Sequence, residues 1–289
     1  MCSLCFVFLL ALQSDPHAAG AAAYARHDYA KAAQILRTAI VTEVPDSAAY
    51  RESALLLGQS LYLSGALVEA LPWLEKASRF GTRTNEVLYM LGTAYLRTGR
   101  TGPGGASFAQ LFNVKPGSAA SHLLTAQMMV RLELEEQAEK ELAAALALDP
   151  HLPEAHFLLG ELAIFHGEFD AAVTQLNAEI ALNPNFSQAY YRLGDAYTRR
   201  ERWSDAIPML QKAIWLNPIF SGPYILLGKA YLKTNELPNA EGMLRRAIQM
   251  DPQNSSAYYI LGQTLVKANR PEEAKPLLER SQQLRQKQP

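Results

Sequence analysis

Cysteine is nearly missing from this 289-residue chain: Cys2 and Cys5, both within the first five residues, are the full set. That excludes a disulfide framework and a cysteine-based zinc site. An excess of one charge is missing too, with 27 Lys and Arg against 28 Asp and Glu, a net of −1. A main partner that is nucleic acid or an anionic membrane calls for a basic surplus, and the total supplies none. The apolar run Leu4–Leu12 has nine residues, short of the roughly 20 that span a bilayer. There is no nucleophile elbow, zinc-protease motif or dinucleotide fingerprint. The histidines at 17, 27, 122, 151, 156 and 166 offer no third ligand at zinc spacing.

What is present is a period. Gly58, Gly92, Gly160, Gly194, Gly228 and Gly262 lie on a 34-residue grid, with Ala126 on the missing rung. Ala70, Ala138, Ala172, Ala206, Ala240 and Ala274 lie on a second, and Pro116, Pro150, Pro184, Pro218 and Pro252 on a third. Such a period means stacked units that touch only their neighbours. A hydrophobic share of 49% with 19% charge suits folded units rather than disorder. The clearest copy is Ser187–Phe220, with Leu193-Gly194, Tyr197, Ala206, Leu210, Ala213 and Pro218. In it, positions 190, 193, 194 and 197 share one helix face. Gly194 and Ala206 are the small residues that let two helices cross closely, and Leu193, Tyr197 and Leu210 fill the seam. Each closing proline ends a second helix, and Asp149, Asn183, Asn217 and Asp251 before it favour a turn.

Aromatic, Leu-Gly, Tyr, Ala, large apolar, Ala and Pro at this spacing resemble the tetratricopeptide repeat family. The resemblance covers about eight copies: 13–46, 51–84, 85–118, 119–152, 153–186, 187–220, 221–254 and 255–288. It implies an all-α fold, a right-handed superhelical solenoid of stacked antiparallel helix pairs over residues 15–289. It also implies an inner face that binds peptides or proteins, with no cofactor and no metal.

The copies differ in places. Four extra residues sit near Val44–Ala48, where Val44-Pro45-Asp46 marks a loop. Gly81 ends the second copy in place of a proline. Three glycines in Thr101–Ser107 predict a late, fraying helix, each costing about 1 kcal/mol relative to alanine. A phosphate loop is not supported there, because no lysine follows and no strand precedes. Glu179 stands where other copies place alanine. His122 and His156 take the position of Tyr190, Tyr224 and Tyr258, which reads as packing. Trp203 takes the place of Tyr29 and Phe169, which reads as core.

Family geometry would point a second stripe of each first helix inward. One row reads Leu55, Tyr89, Leu123, Phe157, Tyr191, Ile225 and Tyr259. Its neighbour reads Gln59, Thr93, Gln127, Glu161, Asp195, Lys229 and Gln263, and a basic edge follows at Arg97, Arg131, Arg199, Lys233 and Lys267. Aromatic and arginine side chains are common interface anchors. Tyr89, Phe157, Tyr191, Tyr259, Asp195, Arg97, Arg131, Arg199 and Lys233 are therefore the candidate partner-binding residues. The alternative is that the apolar members pack on the next copy and the charges form a solvated face.

The leading expectation is a non-catalytic scaffold for a peptide or partner protein. The alternative is the recognition part or accessory subunit of an enzyme, such as a glycosyltransferase or peptidase, or of an envelope or secretion assembly. Leu4–Leu12 resembles the hydrophobic part of a secretory signal spanning residues 1–14, although only Met-Cys-Ser precedes the run. That reading predicts export to the periplasm or beyond; a buried first helix would instead suit a cytoplasmic protein.

Overall fold

The computed structural model describes residues 15–81 and 84–287. The run Leu4–Leu12 and both cysteines lie outside the described residues. Among the described residues the chain is all helical, with sixteen helices and no strand. They pair as α1 (Pro16–Ala25) with α2 (Tyr29–Thr42), α3 (Ala48–Leu63) with α4 (Leu67–Arg79), α5 (Thr84–Arg97) with α6 (Thr101–Leu111), and α7 (Ala119–Arg131) with α8 (Glu135–Leu148). These eight form one compact unit, which ends at Leu148. The second unit begins at Asp149. It holds α9 (Ala155–His166) with α10 (Phe169–Leu182), α11 (Ser187–Arg199) with α12 (Trp203–Leu216), α13 (Ser221–Lys233) with α14 (Leu237–Met250), and α15 (Ser255–Lys267) with α16 (Pro271–Gln286). In each unit every helix packs on the next. First helices also touch in succession, α1–α3–α5 in one unit and α9–α11–α13–α15 in the other, and so build a continuous face. Second helices have no comparable contact.

Each hairpin closes on a small residue. A Cβ on Gly194 would lie 2.6 Å from Leu210, and one on Gly228 would lie 2.5 Å from Leu244. Gly20 meets Leu36, Gly92 meets Phe108, Gly160 meets Leu176 and Gly262 meets Leu278 in the same way. The residue that occupies the gap is thus the large apolar one of the second helix. Ala206 lies fully buried on the same helix as Leu210. The grid alanines and their leucines form the seam, with Gly104 and Phe108 in their place in the third hairpin, and fully burying one such leucine is worth about 1.5–3 kcal/mol.

The helix ends follow local chemistry. Asp15 accepts from the backbone of His17, with Pro16 in the first turn. Val44-Pro45-Asp46 falls between α2 and α3, and Gly81 adopts φ +70° just past α4. One residue with positive φ lies in every turn from a first to a second helix: His27, Gly65, Gly99, Glu133, Gly167, Glu201, Asn235 and Asn269.

The glycine-rich stretch departs from expectation. Helix α6 begins at Thr101 rather than late. Pro103 falls in its first turn, where the lost N–H had no partner anyway. Gly104 admits Leu96, which a Cβ would approach to 2.6 Å, and Gly105 abuts Thr125, 2.8 Å from such a Cβ. These glycines exist for close packing, and packing offsets their low helix propensity.

Candidate interaction face

The second unit builds a pocket from successive first helices. Phe157 and Glu161 come from α9, Gln188, Tyr191 and Arg192 from α11, and Phe220 from the residue before α13. Together they line a cavity of about 150 Å³. Phe157 meets Phe186 edge-on at 4.9 Å between ring centres, and Tyr191 meets Phe220 likewise at 4.9 Å. Arg192 Nε donates to Glu161 Oε1 at 2.8 Å, and its guanidinium lies 5.4 Å from the Tyr191 ring centre. Burial pushes the Tyr191 phenol up from its ordinary pKa, so it stays a neutral hydrogen-bonding group. Gly222 keeps the wall thin, since a Cβ there would lie 2.8 Å from Phe220 and 3.1 Å from Tyr191.

Of the expected residues in this unit, the pocket joins Phe157 and Tyr191. Asp195 is buried and ion-paired with Arg199 at 3.1 Å, and Arg199 also lies over the Phe169 ring. Asp195 is thereby committed within the fold, while the Arg199 side chain stays half-exposed. Lys233 is exposed at the end of α13. Tyr259 stands apart, its ring beneath Arg285 at 4.8 Å. Lys267 donates to the carbonyl of Leu232 at 3.0 Å, an end-cap for α13.

In the first unit, Tyr89 is half-exposed and meets the Phe108 edge at 6.1 Å. Arg97 and Arg131 line one cleft of about 440 Å³ with Leu67, Leu132, Glu133 and Leu134, a cluster at the hairpin turns. Leu55, Gln59 and Thr93 are buried, and Gln59 Nε2 donates to Glu86 at 3.0 Å. There the expected inner rows are largely packing.

Sequence reading missed Phe186, Phe220 and Gly222. A signal existed: Asn183-Pro184-Asn185-Phe186 and Asn217-Pro218-Ile219-Phe220 repeat on the grid. It also missed the role of Glu179, which is fully buried. Its carboxylate accepts from the backbone N–H of Glu154 at 3.1 Å and of Phe157 at 3.3 Å. Helix α9 starts after Glu154, whose φ is +69°, and has no side-chain cap of its own. Glu179 supplies that cap from the facing helix and so holds the turn that carries Phe157.

His122 and His156 are packing residues that reach the partner helix, His122 Nδ1 to Glu141 at 2.6 Å and His156 Nδ1 to Gln175 at 2.7 Å. Trp203 is only half-buried, with Lys229 over its ring at 5.8 Å. A serine, histidine and glutamate also meet in the first unit: Ser53 Oγ donates to Glu43 at 2.7 Å and lies 2.8 Å from His17 Nδ1. Ser53 is fully buried and its proton is directed at the carboxylate, so it cannot meet a substrate. The cluster ties α1 to α3. Among the described residues no group of three or more His, Cys, Asp or Glu is placed to hold a metal, and no helix is long and apolar enough to cross a membrane.

A family model described as tetratricopeptide repeat matches residues 17–82, 157–221 and 225–289, more than half of the chain. The chain belongs to the tetratricopeptide repeat family. Solved structures with this repeat protein's fold include MamA, residues 41 to the end, from Desulfovibrio magneticus RS-1, at 24% identity and a TM-score of 0.55. That match covers 59% of this chain and 96% of the other. YrrB, described as a TPR protein with an unusual peptide-binding site, matches at 19% identity and a TM-score of 0.56, covering 64% of this chain and 95% of its own. At these identities the likeness concerns the fold. No curated protein sequence matches the repeat protein.

Proposed function

We propose that this tetratricopeptide repeat protein is a non-catalytic scaffold that holds an extended peptide or a partner protein along its first-helix face. The observation that carries this is the pocket of Phe157, Tyr191 and Phe220, rimmed by Gln188 and by the Glu161–Arg192 pair. Aromatic walls offer large contact area, and the polar rim can meet a partner's backbone. The peptide-binding site named for YrrB supports the same reading by analogy of fold.

The test is a photo-crosslinking residue at Gln188, on the pocket rim. It should trap a discrete partner in cells, and Tyr191→Ala with Tyr259→Ala should abolish the crosslink while far-UV circular dichroism stays native. Absence of any crosslink, or one that survives the double substitution, rejects the reading.

A further inference from the structure

A second surface, on the opposite class of helices, has a different chemistry. Trp215 and Ile219 lie at the end of α12 and in the turn after it, 71% and 85% exposed. The other copies serve as internal controls for these positions. The place of Trp215 is held by Ala147, Ala181, Gln249 and Gln283, and that of Ile219 by His151, Asn185 and Gln253. Within the second unit this copy alone sets large apolar side chains at both, four residues apart, where packing does not require them. Exposed apolar side chains grouped in this way mark contact surfaces.

The charge that meets Trp215 is basic. Lys212 Nζ lies 3.9 Å from the Trp215 ring centre. Arg246 and Arg280 take the Lys212 position on α14 and α16, and Arg246 Nη1 donates to the neutral Gln249 at 3.3 Å. The C-terminal halves of α12 and α14 carry no acidic residue, and Glu279 is the one on that half of α16. A second copy of this chain is a poor occupant, because a two-fold contact would set the same cations against each other. The net of −1 for the whole chain hides this local excess.

We infer that the second unit has a peripheral membrane-contact site at Trp215 and Ile219, which dips into the interface of an anionic lipid surface. Lys212, Arg246 and Arg280 meet its headgroups. An indole suits the boundary between headgroup and acyl chain, and clustered Lys and Arg are drawn to anionic leaflets. The inference is independent of the peptide pocket, which lies on the first helices.

The test is co-sedimentation of the full chain with vesicles of phosphatidylcholine alone and of phosphatidylcholine mixed with phosphatidylglycerol. Binding to the mixed vesicles is expected, with a blue-shifted tryptophan emission, and added salt should weaken it. Trp215→Ala with Ile219→Ser should lower the partition coefficient about tenfold or more, and Lys212→Glu with Arg246→Glu should do the same. Both sets lie at the surface, so circular dichroism and melting should match the parent chain. No binding to mixed vesicles, equal binding to neutral ones, or unchanged binding by the Trp215/Ile219 variant overturns the inference. So does a concentration-dependent dimer that this variant abolishes.

Discussion

At the residue scale, single atoms decide most outcomes. Gly228→Leu must displace Leu244, which lies 2.5 Å from where a Cβ would sit, so the variant should lose about 1–3 kcal/mol or more. Lys229→Ala next door gives up only the contact over Trp203, worth under about 1 kcal/mol. Comparable melting temperatures for the two would contradict the helix pairing described. Glu179→Ala restores the alanine of other copies yet strips two backbone N–H groups of their acceptor. It should cost about 1–3 kcal/mol, with Glu179→Gln closer to the parent in a denaturant melt. Glu201→Gly relieves a left-handed non-glycine residue, φ +57°, and should raise stability by about 0.5–1 kcal/mol. The glycine grid was legible in the sequence, since small residues recur where helices cross. The role of Glu179 was not, because a cap supplied from a facing helix depends on a distance that linear spacing does not encode. The alanine grid marked the position as odd without saying what it touches.

At the scale of elements, copies are linked by side chains that reach the neighbouring helix. Tyr95 donates to Glu75, and burial, aided by that bond, pushes its phenol up to about 12. Tyr231 accepts from Gln211 at 2.8 Å on the corresponding path. Arg270 binds Glu241 at 2.6 Å and Glu273 at 2.7 Å, and so ties α14 to α16. The hydrogen bond from Arg270 holds the Glu241 and Glu273 carboxyls below the usual carboxylate range. A depressed folded-state pKa contributes stability above the unfolded value, which is lost as pH falls through the folded one. Arg270→Ala should therefore melt earlier than the parent near neutral pH, and the gap should close in acid; a gap of constant size would refute the linkage. Helix α6 shows the limit of propensity. Its glycines argued for fraying, but contact with Leu96 and Thr125 outweighed them, and no local scale contains that contact.

At the scale of the molecule, each unit is a short stack whose helices meet only near neighbours, so its stability is close to a sum over copies and their interfaces. Residues 149–289, expressed alone, should fold to a helical chain with one cooperative melt, since their core is complete within the second unit. A chain that stays unfolded by circular dichroism would show that the division after Leu148 has no energetic meaning. Fold class was readable from the 34-residue period because architecture here is repetition. The pocket was half readable: Phe157 and Tyr191 lie on the expected row of first-helix residues, whereas Phe220 enters from a connecting turn that no helix face predicts. The cap on α9 has one more consequence. Donor turn and acceptor carboxylate both fall within 153–186, so gene duplication or recombination could move that hairpin as a self-sufficient cassette. The Arg270–Glu241 tie spans two hairpins, and a crossover between them would sever it.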